Sequence, residues 1–131
     1  MTPDAVRTMR DDYLLSHGVC TYCAVVPKDV YPHCNNDRFD LEHIWQRLGS
    51  RLDDPCNYVI CCRESHEWKH AHSIEGRIAA LYWKWTHKEF NRERLKELTG
   101  LDPIGWVHNR WVTGLPLWAS QLAEQLTKAH E

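Results

Sequence analysis

Glu42 and His43 stand side by side, Asn57 follows fourteen positions after His43, and His66 follows nine after that. An imidazole can take a proton near neutral pH because its unperturbed pKa is about 6.5. Hydrolysis of a phosphodiester needs such a base to activate water, a sink for the charge of the transition state and help for the leaving oxygen; a bound divalent metal supplies the last two. His66 and His70 are four apart, which on a helix places both on one face and suits joint ligation of one ion. Arg47, Arg63 and Lys69 lie nearby in sequence and are candidates for phosphate contact.

Six cysteines offer a second chemistry. Cys20-Thr21-Tyr22-Cys23 has the spacing of a metal knuckle, and Cys62 would bring a third thiolate to a tetrahedral zinc site that needs four ligands. Cys61, Cys34 and Cys56 are candidates for the fourth. So is His66, which would complete a Cys₃His set and leave catalysis. Taken singly, Cys34, Cys56 and Cys61 read as small buried apolar side chains. The first fifteen residues show no apolar stretch of a secretory signal, and no apolar run approaches the length that spans a bilayer. The expectation is a cytoplasmic protein with reduced thiols and no membrane contact.

The elements that position these groups can be read in outline. At 131 residues the chain is expected to form one α+β domain. Its net charge of −2 provides no global attraction for nucleic acid, so any such field must be local or come from a bound cation. Thr2 as N-cap, Pro3 at the first helical position and Val6, Met9, Tyr13 and Leu14 at helical spacing predict an N-terminal helix ended by Gly18. Pro32 to Asp37 reads as a loop, 39–44 as a strand carrying Glu42 and His43, 48–55 as a loop, and 58–61 as a second strand. A helix starting near Ser65 would carry His66 and His70. Beyond residue 73 the pattern turns helical: Ile74, Ile78, Leu81 and Trp85 form a stripe expected to face the core. Asn91 and Gly100 frame a helix to Leu98, and a last helix runs over 115–130 with Leu115, Trp118, Leu122 and Leu126 on one side.

The stretch EHIWQRLGSRLDDPCNYVICCRESH, residues 42–66, resembles the HNH endonuclease family without a gap. Glu42-His43-Ile44 match the opening of its motif, Arg47 the loop arginine, Asp53-x-Pro55-x-Asn57 the central segment, Cys62 the first cysteine of the second knuckle and His66 the closing residue. Cys20-x-x-Cys23 matches the first knuckle. Gln46 stands where the family usually has Pro, Ser50-Arg51 where it has Gly-Gly, and Ser65 where it has the fourth zinc cysteine. The resemblance implies an HNH ββα-metal core with a zinc knuckle over about 17–72, flanked by the N-terminal helix and by a helical extension over about 73–131. It implies a divalent-metal-dependent DNA endonuclease in which Glu42 ligates one catalytic ion (Mg²⁺, Mn²⁺ or Zn²⁺), His43 is the general base, and Asn57 fixes the backbone that orients His43. The subset of the family that ends H-x-x-x-H adds His66 and His70 to the ion, and Cys20, Cys23 and Cys62 would hold a structural Zn²⁺. Small stand-alone members are frequent in bacteriophages and bacteria, which implies the cytoplasm of a bacterial cell or of a phage-infected host.

Two other classes compete. His66-Glu67-x-x-His70 also spells the zinc-metallopeptidase pattern, with Glu67 activating water and Glu89 as a possible third ligand. A non-catalytic zinc-stabilised domain could instead bind nucleic acid through Arg77, Lys84, Lys88, Arg92, Arg94 and Lys96 interleaved with Tyr82, Trp83 and Trp85. The ordinary meaning of that pattern is a helix pair with a solvated charged face.

Overall fold

The structure, a computed structural model, describes residues 2–30, 38–46 and 52–131. It is mixed α+β, mostly helical, with a two-stranded antiparallel sheet. Arg47, Cys34, the loop predicted over 32–37 and the first four residues, 48–51, of the loop predicted over 48–55 lie outside the described residues.

Helix α1 spans Pro3–Ser16, with Thr2 Oγ1 accepting the Ala5 N–H at 3.1 Å. Cys20 is the N-cap of a short helix, α2 (Thr21–Val25), so the Cys20-x-x-Cys23 segment is a helical turn. Strand β1 (Phe39–His43) pairs antiparallel with β2 (Tyr58–Cys62), in a register that sets Leu41 opposite Ile60, Glu42 opposite Val59 and His43 opposite Tyr58. A 3₁₀ turn, Pro55–Asn57, leads into β2. Helix α3 (Arg63–Ala71) leaves β2 directly and is closed by a capping box in which a sulfur does the work of a hydroxyl. Cys62 Sγ accepts the Ser65 N–H at 3.4 Å while Ser65 Oγ accepts the Cys62 N–H at 3.1 Å.

Strand alternation divides the hairpin. Leu41, Tyr58 and Ile60 face α1, where they pack with Met9, Tyr13 and Leu14. Glu42, Val59 and Cys61 face the other way, towards the main core of Tyr22, Ile44, Ile78, Leu81, Leu95, Val107 and Leu126.

Four further helices build that core: α4 (Ser73–Thr86), α5 (Arg92–Thr99), α6 (Pro103–Thr113) and α7 (Leu117–Ala129). The caps predicted for α5 are present, with Asn91 Oδ1 accepting from Arg94 N–H and Gly100 in the left-handed region at φ 76°. The stripe predicted on α4 is displaced. Ile74 is 36 % exposed, whereas Ile78, Ala79, Ala80, Leu81, Trp83 and Lys84 are all buried. α4 is the central helix, packed against α2, α3 and α7, so its buried surface is wider than one stripe. α7 likewise buries Ala119, Ala123 and Leu126, with Trp118 and Leu122 only partly covered. The apolar pattern predicts no helix at α6. Its start signal is nevertheless present: Asp102 Oδ1 accepts the Ile104 N–H at 3.2 Å and Pro103 follows at the first position. No helix among the described residues is long and apolar enough to cross a membrane.

Two buried lysines tie the elements together. Lys84, fully buried on α4, donates to Tyr13 Oη at 2.9 Å, the Pro55 carbonyl at 2.7 Å and Glu89 Oε1 at 3.2 Å, tying α1 and the 3₁₀ turn to the core. Lys69 on α3 is buried because Gly76 on α4 leaves it room; a Cβ at Gly76 would come within 2.9 Å of Lys69 Cγ. Gly76→Ala is therefore expected to force Lys69 off its position and to destabilise the fold by ~1–3 kcal/mol, the usual cost of overpacking. Urea denaturation of the two proteins measures this, and an unchanged midpoint would remove the tight α3–α4 approach from the account.

Candidate functional site

Glu42 is the centre of one cluster. It is a buried carboxylate at 7 % exposure, and each of its oxygens is occupied. Oε1 accepts from Lys69 Nζ at 3.2 Å. Oε2 lies 2.6 Å from His66 Nδ1 and 3.8 Å from Cys61 Sγ. Burial opposes ionisation of Glu42, but the Lys69 charge and the hydrogen bonds from His66 and Lys69 outweigh it and hold the carboxyl below its ordinary 4.5. Burial and the Glu42 charge push the Cys61 thiol up, so the thiol is the donor in that contact. Glu42, Cys61 and His66 each offer one ligand atom, and these lie within 4.8 Å of one another, so the group can hold a metal ion.

His70 extends the cluster outward. Its Nε2 is 3.0 Å from His66 Nε2, so it touches His66, not Glu42. Lys69, a phosphate candidate by position, is engaged with Glu42 and also donates to the His43 carbonyl at 3.4 Å. Arg63 is exposed at the start of α3.

His43 belongs to a second cluster on the α1 face of the hairpin. Its Nε2 is 2.9 Å from Asp53 Oδ1. Arg10 grips the same carboxylate through two bonds of 2.8 Å, and Tyr58 Oη donates to it at 2.9 Å. Burial again opposes the charge, but the His43, Arg10 and Tyr58 hydrogen bonds and the Arg10 charge win, and Asp53 titrates below its ordinary 3.8. An ionised carboxylate only accepts hydrogen bonds, so His43 Nε2 carries a proton in this contact. Asn57, fully buried, fastens the segment between the strands. Its Oδ1 accepts the Trp45 N–H at 2.9 Å, and its Nδ2 donates to the carbonyls of Trp45 at 3.1 Å and Leu52 at 3.0 Å.

The third cluster is sulfur. Cys20, Cys23 and Cys62 converge closely enough to hold a metal ion. Cys23 Sγ is 3.7 Å from Cys62 Sγ, and Cys20 Sγ accepts the Cys62 N–H at 3.4 Å. The Ser65 hydroxyl lies 3.2 Å from both Cys20 Sγ and Cys62 Sγ. Burial raises the Cys20 thiol to about 11, against hydrogen bonds from Ser65 and from backbone N–H groups that favour the thiolate. Among the described residues, the other fourth-ligand candidates lie elsewhere. Cys61 and His66 face Glu42, and Cys56 lies in the 3₁₀ turn, its N–H donating to the side chain of the cap residue Asp54.

The rival constellations are placed differently. Glu89 is held by Lys84, Tyr13 and His17, with His17 Nε2 at 2.9 Å, and the carboxylate beside His66 is Glu42. Of the basic residues in the C-terminal half, Lys84 is buried. Arg77 is sandwiched between the Trp45 and Trp106 rings at 4.7 and 5.0 Å, Arg92 pairs with Asp102, and Arg94 pairs with Asp54 and Glu97. No protein-family model matches the chain, and neither a curated protein nor a solved structure does.

The placement of Arg10 on Asp53, of Cys61 on Glu42 and of Ser65 between two sulfurs is not predicted by the sequence. The signal for Cys61 was available, since a two-residue alternation along β2 puts it on the Glu42 face once the register is known. Arg10, forty-three residues from Asp53, has no local signal.

Two outcomes are expected. Ser65→Cys places a fourth sulfur beside the cluster and should tighten zinc binding, whereas Ser65→Ala should weaken it by roughly 10–100-fold, the usual effect of losing a group that orients ligands. Competition with a chromophoric chelator reads both, and equal affinities in all three proteins would count against a metal among these cysteines. Stability should also fall in acid. The depressed pKa values of Glu42 and Asp53 contribute stability above their ordinary values of 4.5 and 3.8, and this is lost as pH drops through the lower folded values. Asp53→Asn should cost about 2 kcal/mol at neutral pH and flatten the acid limb of a stability–pH profile. A parallel limb in the variant would contradict the assignment.

Proposed function

We propose that the chain is a divalent-metal-dependent endonuclease that hydrolyses DNA phosphodiester bonds on an HNH-type ββα unit. The observation that carries this reading is the contact of Glu42 on β1 with His66 on α3, while the next residue of β1, His43, is held through Nε2 by Asp53. A hairpin that runs directly into a helix, a buried Asn between the strands and a three-cysteine cluster at the strand–helix junction accompany it, and all fall on the residues that carry the family resemblance. The sulfur cluster suits a structural zinc that staples α2 to the start of α3.

The donor set fits a catalytic ion, because Glu42 and His66 already share one point of contact and Cys61 borders it. Glu42 and His66 would hold the ion. When bound, it supplies Lewis acidity to the phosphoryl and leaving oxygens. The remaining roles belong to the chain. Asp53, held by Arg10 and Tyr58, fixes the His43 tautomer with the proton on Nε2. His43 Nδ1 takes the proton of the attacking water. Asn57 holds the backbone at Trp45 and Leu52, just beyond the catalytic strand end. Lys69 balances the buried charge of Glu42. Arg63, at the exposed start of α3, is placed to meet backbone phosphate, and Arg47 is the other candidate.

The test is plasmid cleavage by the purified chain across Mg²⁺, Mn²⁺, Co²⁺ and Zn²⁺, with His43→Ala and His66→Ala alongside. Wild-type protein should nick or linearise the plasmid. His43→Ala should keep its fold and metal and lose about 10²–10⁴-fold in rate. His66→Ala should lose cutting together with ion affinity. Wild-type protein that leaves DNA intact with every ion, or His43→Ala that cuts at the parental rate, would overturn the reading.

A further inference from the structure

Cys61 is a buried thiol to which the proposed reaction gives no role. It is 1 % exposed, yet its sulfur is directed at a carboxylate oxygen and not only at carbon. That oxygen, Glu42 Oε2, is the same one that His66 Nδ1 approaches, while Lys69 occupies Oε1. Two proton-bearing donors from different elements thus converge on one buried oxygen. A single cation at this point would replace both protons.

We propose that Glu42, Cys61 and His66 together form a site for a thiophilic divalent ion of the zinc, cobalt or cadmium class, from which magnesium is excluded. The inference rests on the reading of Glu42 and His66 as ligands of the catalytic ion and adds the third ligand and the class of ion. Thiolate sulfur selects borderline and soft metals, whereas magnesium demands oxygen in near-octahedral geometry. Binding balances in protons. The Cys61 S–H proton leaves to solvent as the metal–sulfur bond forms. The His66 proton moves from Nδ1 to Nε2 and the His70 proton from Nε2 to Nδ1, both by exchange with solvent, so that His70 Nε2 at 3.0 Å accepts the hydrogen bond it donated before. In charge, carboxylate and thiolate offset the ion, and Lys69 keeps its contact with Oε1. His70 thereby orients His66 without ligating, the common arrangement for a metal-bound histidine.

Titration of the metal-free full chain with Co²⁺, followed by sulfur-to-cobalt charge-transfer absorption, tests this. Wild-type protein should take up two equivalents, one at Cys20, Cys23 and Cys62 and one at the Glu42 site. Cys61→Ser should weaken the second equivalent by roughly 100-fold or more and lose about one sulfur's share of the band. Cys23→Ser should diminish the other. A large excess of Mg²⁺ should displace neither. Should Cys61→Ser fail to fold, ¹¹³Cd NMR of the wild type decides: two resonances, one shifted as expected for a single thiolate ligand, support the site, and a lone multi-thiolate resonance overturns it. Unchanged uptake and spectrum in a folded Cys61→Ser, or displacement by Mg²⁺, overturns it as well. These readouts do not involve DNA. Two bound ions without cleavage would sink only the nuclease reading, and cleavage in Mg²⁺ with one bound ion would sink only this inference.

Discussion

A carboxylate buried against a hydrophobic core must be neutralised or protonated, and much of the site follows from how Glu42 is neutralised. Lys69 reaches it only because α3 and α4 approach closely at Gly76. His66 reaches it because α3 starts immediately after β2, at a capping box made by Cys62 and Ser65. The same box sets Ser65 between two sulfurs of the cysteine cluster. The strand–helix junction thus serves both clusters, and a disturbance at either should be felt at the other.

The hairpin separates two kinds of chemistry by the alternation of one strand. Glu42 points into the core side, where ligand atoms gather. His43 points to the α1 side, where Asp53, Arg10 and Tyr58 fix its ring. The second environment depends on α1, which lies outside the motif. Arg10 supplies the charge that balances Asp53, and Tyr13 anchors the helix through Lys84 and its contacts with Tyr58 and Ile60. The N-terminal helix is therefore part of the apparatus around His43. Sheet alternation leaves the two clusters linked at the strand end through Lys69, which contacts both Glu42 and the His43 carbonyl.

Local signals were legible where the chemistry is local. Caps, turn residues and short apolar runs located α1, both strands, α3 and α5, because each depends on neighbours within a few residues. The buried faces of α4 and α7 were less legible, since small residues such as Ala79, Ala80, Ala119 and Ala123 enter the core only when another helix arrives to cover them. α6 escaped because its apolar residues are spaced among Trp, His and Arg, although Asp102 and Pro103 mark its start. At the site, the residue types of the motif pointed to Glu42, His43, Asn57 and His66. The bond of Arg10 to Asp53, the burial of Lys69 and the approach of Cys61 to Glu42 depend on tertiary placement. No spacing rule reaches across 43, 27 or 19 residues.

Glu42 is the group on which these arrangements converge, and Glu42→Gln keeps its shape while removing its charge. The direct measurement is the single-turnover rate of plasmid cleavage by this variant beside the wild type, with thermal melts recorded on both. Cleavage that drops by about 100-fold or more in a protein that still melts cooperatively is the predicted result. A folded Glu42→Gln protein that cuts DNA at the wild-type rate would contradict the account at its centre.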